Sequence, residues 1–377
     1  MGFLDRLKQA LPQLSFLLAL FFGTRLMLTL IAVFTRSILG HKSPIKFGVT
    51  QYPWLNIWGE ADTFWYIDIA KNGYSSHTNL LGQGNYAFFP LYPMLIKFLG
   101  AATGNKYYLA GLLISNFSLI FACIFLYKLV NQTSNQRIAL NTIKYLFLSP
   151  TAFILSGVFT ESLYLFLTVV IFYFTYKRNW ILVGVVGFFV ALTRNLGVLL
   201  IIPLLFEYLK EIHFDVKKIR LDIIFLFLIP LGLILYSFYN YHLTGDFLAF
   251  KTVQTAWGRS FSNPFHVVVH GLYKAFYQSN IRNYLDASIA LISLAILCIF
   301  YKKIGFSYWL FGMYSILIPL STELESMPRY ILPIFPIYII LAKLGEDHSF
   351  DQVTTIFLGL LQGFLMVFWS SGYPLIV

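Results

Sequence analysis

Eleven apolar runs, joined by connections that carry most of the positive charge, leave this chain few ways to fold. They are residues 14–34, 107–128, 139–157, 160–176, 180–192, 195–209, 221–241, 284–301, 306–321, 330–342 and 354–371. About 20 apolar residues cross a typical bilayer. Backbone inside hydrocarbon must satisfy its own hydrogen bonds, which restricts spanning structures to helices and closed barrels. The runs predict an all-α polytopic membrane protein of about eleven transmembrane helices, one integral membrane domain over residues 1–377. Several runs are shorter than a full crossing, which is tolerated where helices pack inside protein or line a cavity.

Charge agrees with this class. Only 11% of the residues are charged, against about 25% in a soluble domain. The net charge of +11 does not point to nucleic acid, because the Lys and Arg residues sit in short connections, where they orient a membrane protein. Some can also hold anionic lipid headgroups. Cys123 and Cys298 lie inside apolar runs, so neither a disulfide framework nor a cysteine metal site is expected. The first run is too long for a signal-peptide core and lacks a clear small-residue cleavage site. It is read as a retained helix with Arg6 and Lys8 on the cytoplasmic side.

Residues 86–101 decide the topology. Pro90, Pro93 and Lys97 weaken this segment as a span. If it lies flat on the outer surface, Lys128, Arg137, Lys177, Arg178, Lys210, Lys217, Lys218, Arg220, Lys302, Lys303 and Lys343 fall inside, as the positive-inside rule requires. It is therefore read as an interfacial helix (88–100), beside a second over 62–72. The same parity splits 180–209 at Thr193–Gly197. Asp62, Glu161, Arg194, Asp246, Arg259 and Arg329 then face the external side, between outer loops 36–106 and 242–283. Those loops are expected to form an active-site cleft.

Residues 58–74 read W-G-E-A-D-T-F-W-Y-I-D-I-A-K-N-G-Y. Acids beside aromatics at a bilayer surface usually mark function. Asp62 can act as a general base towards a sugar hydroxyl, or can cap the helix it precedes. Glu60 is the rival base, and Asp68 reads as helix-surface solvation. Arg25, mid-helix, calls for a polar cavity, with a donor phosphate or an intramembrane carboxylate as its partner. Glu161 stands at a break between apolar helices, where it can serve a site or the helix dipole. Arg194 can bind substrate or pair with a nearby acid. Arg329 offers a planar fork for phosphate, or is plain flanking charge. Asp246 and Arg259, with His242, Gln254 and Trp257, suit sugar binding or a loop held by an Asp–Arg pair. His266 and His270 can share a helix face, but two histidines without a third ligand do not predict a metal.

Five stretches then carry a resemblance. They are A-D-T-F-W-Y-I-D-I-A-K-N-G-Y (61–74) with A-F-F-P-L-Y-P (87–93), S-P-T-A-F-I-L-S-G-V-F-T-E-S-L-Y (149–164), A-L-T-R-N-L-G (191–197), G-D-F-L-A-F…Q-T-A-W-G-R (245–259) and S-M-P-R-Y-I-L-P-I-F-P (326–336). In this order they resemble the second mannosyltransferase of glycosylphosphatidylinositol assembly and its bacterial and archaeal relatives, within the GT-C glycosyltransferases. The family usually has Trp where this chain has Ala61, and often Pro where it has Phe247.

The resemblance implies a GT-C bundle with two interfacial helices in the first outer loop. It implies an inverting transferase using a polyprenyl-phosphate sugar, typically mannose, and a lipid-linked or surface glycan acceptor. No nucleotide and often no metal is implied. Asp62 would be the base, and Arg329, Arg194 or Arg25 would bind the donor phosphate. Glu161, Tyr66, Asp246, Gln254, Trp257, Arg259 and Tyr330 would complete the substrate site. A prokaryotic plasma membrane with a cytoplasmic N-terminus is expected. A transporter or flippase would call for repeats and midplane polar groups; the sequence shows no repeat, and most of its polar motifs cluster at one face. A non-catalytic subunit of a glycan assembly complex is the other alternative.

Overall fold

The computed structural model describes residues 3–42, 50–373 and 375. Side chains of residues 1–11, Arg6 and Lys8 among them, and residues 43–49 of the first loop lie outside the description. Helix α1 is Phe3–Leu39. The first loop then carries α2 (Thr63–Asn72) and α3 (Leu91–Ala102). There follow α4 (Tyr107–Thr133), α5 (Gln136–Leu148), α6 (Glu161–Tyr176), α7 (Trp180–Ala191), α8 (Ile201–Glu211) and α9 (Leu228–Thr244). The second outer loop leads to α10 (Pro264–Gln278) and α11 (Ile281–Ile299). The chain ends with α12 (Phe306–Leu320), α13 (Met327–Ile331), α14 (Phe335–Leu344) and α15 (His348–Ser370).

All eleven apolar runs are helical. Among the described residues, five helices have the length and hydropathy to cross a membrane: α1 from Pro12, α4, Leu221–Thr244, α11 and α15. They carry exposed apolar side chains such as Phe22, Leu26, Ile292 and Leu360, as lipid-facing helices do. The shorter α6 and α14 are almost wholly buried and form the middle of the bundle. α4 packs along α6, α6 along α7, and α7 along α9. The α7 to α9 approach depends on glycine: a Cβ on Gly184 would sit 2.0 Å from the Phe225 carbonyl oxygen, and one on Gly232 2.5 Å from that of Phe188. Small residues permit such close approach between membrane helices.

Four runs differ from their expected form. Residues 139–157 are not one helix: α5 stops at Leu148 and a buried 3₁₀ turn covers Ala152–Ser156. Pro150 is the cause, since a residue preceding proline is pushed out of the helical region. The 195–209 and 221–241 runs begin as 3₁₀ turns, Asn195–Leu200 and Leu221–Phe227. The 330–342 run is broken into α13 and α14 around Pro333.

The broken stretch after α5 exposes backbone groups within the bundle, and side chains from several helices satisfy them. Gln362 donates to the carbonyls of Phe147 (2.7 Å) and Ser149 (2.8 Å). Asn116 donates to the Ser156 carbonyl (3.2 Å). Arg25 donates to the Ala152 carbonyl (2.8 Å) and the Ser156 hydroxyl (2.7 Å). Irregular backbone at membrane depth requires partners of this kind.

The interfacial reading of the first loop agrees with the contacts. The Leu91 amide, opening α3, donates to the Leu192 carbonyl at the end of α7. The Tyr108 hydroxyl, opening α4, donates to the Leu55 carbonyl in the first loop (2.7 Å). Both ends of α3 therefore stay at one end of the bundle. The basic connections meet at the other end, where Arg178 and Arg220 both reach Glu211 (3.8 and 2.9 Å). Lys343 there donates to the Lys303 carbonyl (2.7 Å).

Candidate active site

Four chain-distant segments converge at the end of the bundle that carries the outer loops. Arg329, on α13, donates from Nη1 to Asp62 Oδ2 (2.7 Å) and from Nε to Glu161 Oε1 (2.9 Å). Arg194, just after α7, places Nη1 3.2 Å from the same Glu161 oxygen. The side chain of Glu161 is 0% exposed, Arg329 9%, Arg194 14% and Asp62 25%. Burial is thus graded, with Glu161 the hub and Asp62 the member that reaches solvent. Asp62 occupies the N-cap position of α2, yet its side chain makes no capping bond. Its carboxylate turns to Arg329 instead.

Local backbone aims these groups. Ala61 (φ 43°) and Ser326 (φ 66°) are non-glycine residues in the left-handed region. One precedes Asp62 and the other lies three residues before Arg329. Such conformations cost on the order of 1–3 kcal/mol and persist where surrounding structure enforces them. Glu161 opens α6, so its carboxylate also meets the positive helix end.

Aromatic rings frame the network. Arg329 lies over the Phe159 ring (4.7 Å to centroid). Arg194 lies over Tyr330 (5.1 Å) and Tyr164 (5.7 Å). Arg259, from the second outer loop, approaches the same Tyr330 (6.0 Å). It bonds Gln254 (2.7 Å) and lies 3.8 Å from Glu323. Trp257 meets Trp65 and Phe88 edge-on (6.0 and 6.1 Å between centroids), while Trp65 stacks on Phe88 (5.5 Å). Tyr86, Ala249 and Val253 pack together beneath, and so do Phe89, Tyr236 and Phe250. The two outer loops therefore form one body beside the ion network. Burial first, then the like charge of Glu325, pushes the Glu323 carboxyl up to about 7.

The structure corrects five expectations. Glu60 stands two residues from Asp62 but faces elsewhere. It binds Arg36 (2.6 Å) and His41 (2.8 Å). Burial raises its pKa, with His41 and Arg36 opposing. Arg36 also donates to the Ser370 carbonyl (2.9 Å), so this group ties α1 and α15 to the first loop.

Arg25 meets neither a carboxylate nor the Arg329 network, because its donors satisfy the broken backbone after α5. Asp246 and Arg259 do not pair: Asp246 accepts from the Thr252 hydroxyl (2.9 Å) and the Leu248 amide (2.8 Å), holding its own turn. Tyr66 is only 4% exposed, wedged between Phe88 and Tyr92. It supports the site rather than lining it, and burial raises its hydroxyl pKa. Arg329 is not flanking charge, being buried in its two ion pairs.

Phe88, Phe159, Tyr164 and Glu323 belong to the site region although the sequence alone does not single them out. Their signal was proximity, since each lies within a quoted stretch or a few residues from one. Asp68 bonds the Asn72 side chain, as a helix-surface acid would. His266 and His270 do stack on one face (5.9 Å). Among the described residues no group of three His, Cys, Asp or Glu could hold a metal.

No protein-family model matches the chain, and no curated protein matches it. Solved structures do. ArnT from Cupriavidus metallidurans, bound to undecaprenyl phosphate, is similar over 95% of this chain and 76% of its own, with 10% identity and TM-score 0.54. The Archaeoglobus fulgidus oligosaccharyltransferase, in its complex with Zn and sulfate, is similar over 93% of this chain at 13% identity and TM-score 0.46. The chain spans about half the length of that enzyme, 53% of it. The likeness to ArnT shows the fold: a polytopic helical membrane bundle of the GT-C type.

Proposed function

We propose that this chain is a glycosyltransferase that moves a sugar, with mannose as first choice, from a polyprenyl-phosphate donor to a glycan or glycolipid hydroxyl. The observation that carries the reading is the Asp62–Arg329–Glu161–Arg194 network. It joins a partly exposed carboxylate directly to one arginine and, through a buried acid, to a second, beside an aromatic wall. ArnT, whose fold this chain shares, was solved with undecaprenyl phosphate, and this supports a prenyl-phosphate donor here.

In the proposed reaction the acceptor hydroxyl oxygen attacks the anomeric carbon. The bond from that carbon to the phosphate oxygen breaks, polyprenyl phosphate leaves, and configuration inverts. Asp62 takes the hydroxyl proton, which requires a carboxylate within hydrogen-bond reach. Arg329 binds Asp62 through Oδ2 only, and Oδ1 takes no hydrogen bond from the described residues. Arg194 and Arg329 stabilise charge developing on the leaving phosphate, because fixed donors are most effective where charge appears in the transition state. Glu161 positions both guanidinium groups. Trp257, Trp65 and Tyr330 offer ring faces to the sugars, and Gln254 and Arg259 offer hydrogen bonds. With the basic connections inside a prokaryotic plasma membrane, the site opens to the exterior.

The test is transfer by purified protein from radiolabelled polyprenyl-phosphate-mannose to a mixed extract of membrane lipids and glycans. A labelled product is expected, and Asp62→Asn should lower its rate by about 10²–10⁴-fold. Near-normal turnover in that variant would remove Asp62 as base. If wild type gives no product from this donor or from other prenyl-phosphate sugars, the enzyme reading fails in favour of a non-catalytic subunit.

A further inference from the structure

A cavity with a mixed polar and apolar wall lies at the opposite end of the bundle from Asp62. Helix α6 starts at Glu161 and its 16 residues rise about 24 Å. Its last turn, Thr175 and Tyr176, lines this cavity. The volume is about 270 Å³, and the wall includes Ser134, Glu207, Lys303, Ser307 and Lys343. That is room for a phosphate group with a short polyol.

The charges of the wall are unbalanced. Lys303 and Lys343 bring two positive charges and Glu207 one negative. Glu207 is already engaged, accepting from the Ser307 hydroxyl (2.5 Å) and lying 3.8 Å from Lys210 outside the wall. Lys343 donates to the Lys303 carbonyl (2.7 Å), which sets its ammonium group beside the Lys303 backbone. Among the described residues neither has a carboxylate within 4.0 Å. Hydroxyls of Thr133, Ser134 and Thr175 add neutral hydrogen-bonding groups. Phe172 and Tyr308 also line it. Both pack against Phe335 of the buried α14, so these rings back the cavity with core rather than a passage. Basic pockets between membrane helices on the positively charged side suit anionic headgroups.

We infer that this cavity is a phosphate site, filled by the phosphodiester and polyol of an anionic glycerophospholipid, and independent of the transfer site. The ester oxygens meet Lys303 and Lys343, and the polyol meets the serine and threonine hydroxyls. The lipid tails lie outside the bundle.

The experiment uses the full chain purified in a neutral detergent, with phosphatidylglycerol, phosphatidylcholine or inorganic phosphate added separately. Thermal unfolding and native mass spectrometry are read together. Phosphatidylglycerol is expected to raise the unfolding midpoint and remain bound, and phosphatidylcholine to do neither. Lys303→Gln with Lys343→Gln should weaken phosphatidylglycerol binding roughly 30-fold. Lys217→Gln with Lys218→Gln, on an exposed connection, should leave it unchanged. If the first double variant does not fold, the exposed Lys303→Gln alone is read for the same direction. Stabilisation by inorganic phosphate that the cavity lysines control would keep the phosphate chemistry but overturn the lipid as its source. Binding that survives loss of the cavity lysines, or that the control variant weakens equally, would overturn the site.

Discussion

The two ends of this bundle treat charge in opposite ways. At the basic end several ion pairs join near neighbours, such as Lys210 with Glu207, Lys218 with Asp215, and Arg220 with Asp222, beside longer-range pairs such as Lys144 with Asp351. Lys210, Lys218 and Arg220 are 50–62% exposed. At the other end Asp62, Glu161, Arg194 and Arg329 come from four distant segments and are largely buried. Exposed local pairs contribute little to stability, about 0–1 kcal/mol. Buried charges need partners to exist at all. The first kind of charge orients a chain in a membrane, and the second kind marks where the fold keeps polar chemistry inside.

The largest effect should follow from Glu161→Gln. It removes the acid that faces both Arg329 and Arg194, leaving buried positive charge uncompensated. Breaking such a group costs about 3–5 kcal/mol, read as a lower unfolding midpoint in detergent. Adding Arg329→Met should recover part of the loss. A midpoint unchanged by Glu161→Gln would break the contrast between the ends.

Next in size is Glu60→Gln, which separates two acids two residues apart. Glu60 holds Arg36 and His41, so its loss should destabilise by about 1–3 kcal/mol and leave turnover per folded molecule near wild type. Asp62→Asn should do the reverse. If Glu60→Gln abolished turnover without lowering stability, the assignment of Glu60 to structure would fall.

Much of this was legible beforehand, for identifiable reasons. Hydrocarbon imposes a length on each apolar run, so the apolar runs and the charged connections could be read directly, although four of the runs are broken or begin as 3₁₀ turns. Parity of positive charge placed Arg194 and Glu161 at one end, where they meet. The pairing of Asp62 with Arg329 was not readable, because a separation of 267 residues leaves no local trace. The partners of Arg25 leave no trace in the sequence for a related reason. Its partners are the Ala152 carbonyl and the Ser156 hydroxyl, in a stretch whose apolar sequence reads as continuous helix. Tyr66 was misjudged because the face that α2 buries depends on Phe88 and Tyr92, contributed by a different part of the loop.

A smaller effect concerns pH. Glu323 lies between the ends in character, half-buried beside Arg259 but close to Glu325. Its folded-state pKa is raised from 4.5 to about 7. The native state therefore binds this proton more tightly than the unfolded chain does. The resulting stability is present below pH 4.5 and is lost as pH rises through about 7. Wild type minus Glu323→Gln should show an unfolding midpoint that falls across that window. A difference that stayed flat or rose with pH would place Glu323 among the ordinary exposed acids.

The smallest effect should come from the basic end itself. Lys218 is 62% exposed and 3.5 Å from Asp215, three residues away. Such a pair gains modest Coulomb energy in high dielectric, and that gain is offset by the entropy lost in fixing a long side chain. Lys218→Gln should therefore change stability by less than about 0.5 kcal/mol, and less still at high salt, where screening shortens the reach of exposed charges. Its influence should appear instead in orientation. Removing Lys217, Lys218 and Arg220 together lowers the positive charge on one connection, and among buried acids it touches only Glu211, which keeps Trp180 Nε1 and Arg178 as partners. Accessibility labelling of a cysteine placed near residue 216 should then report a partly inverted population, while folded molecules of either orientation unfold at nearly the same midpoint. A large loss of stability from the triple change, with orientation intact, would show that this end is held by its charges, and the contrast between the two ends would fail.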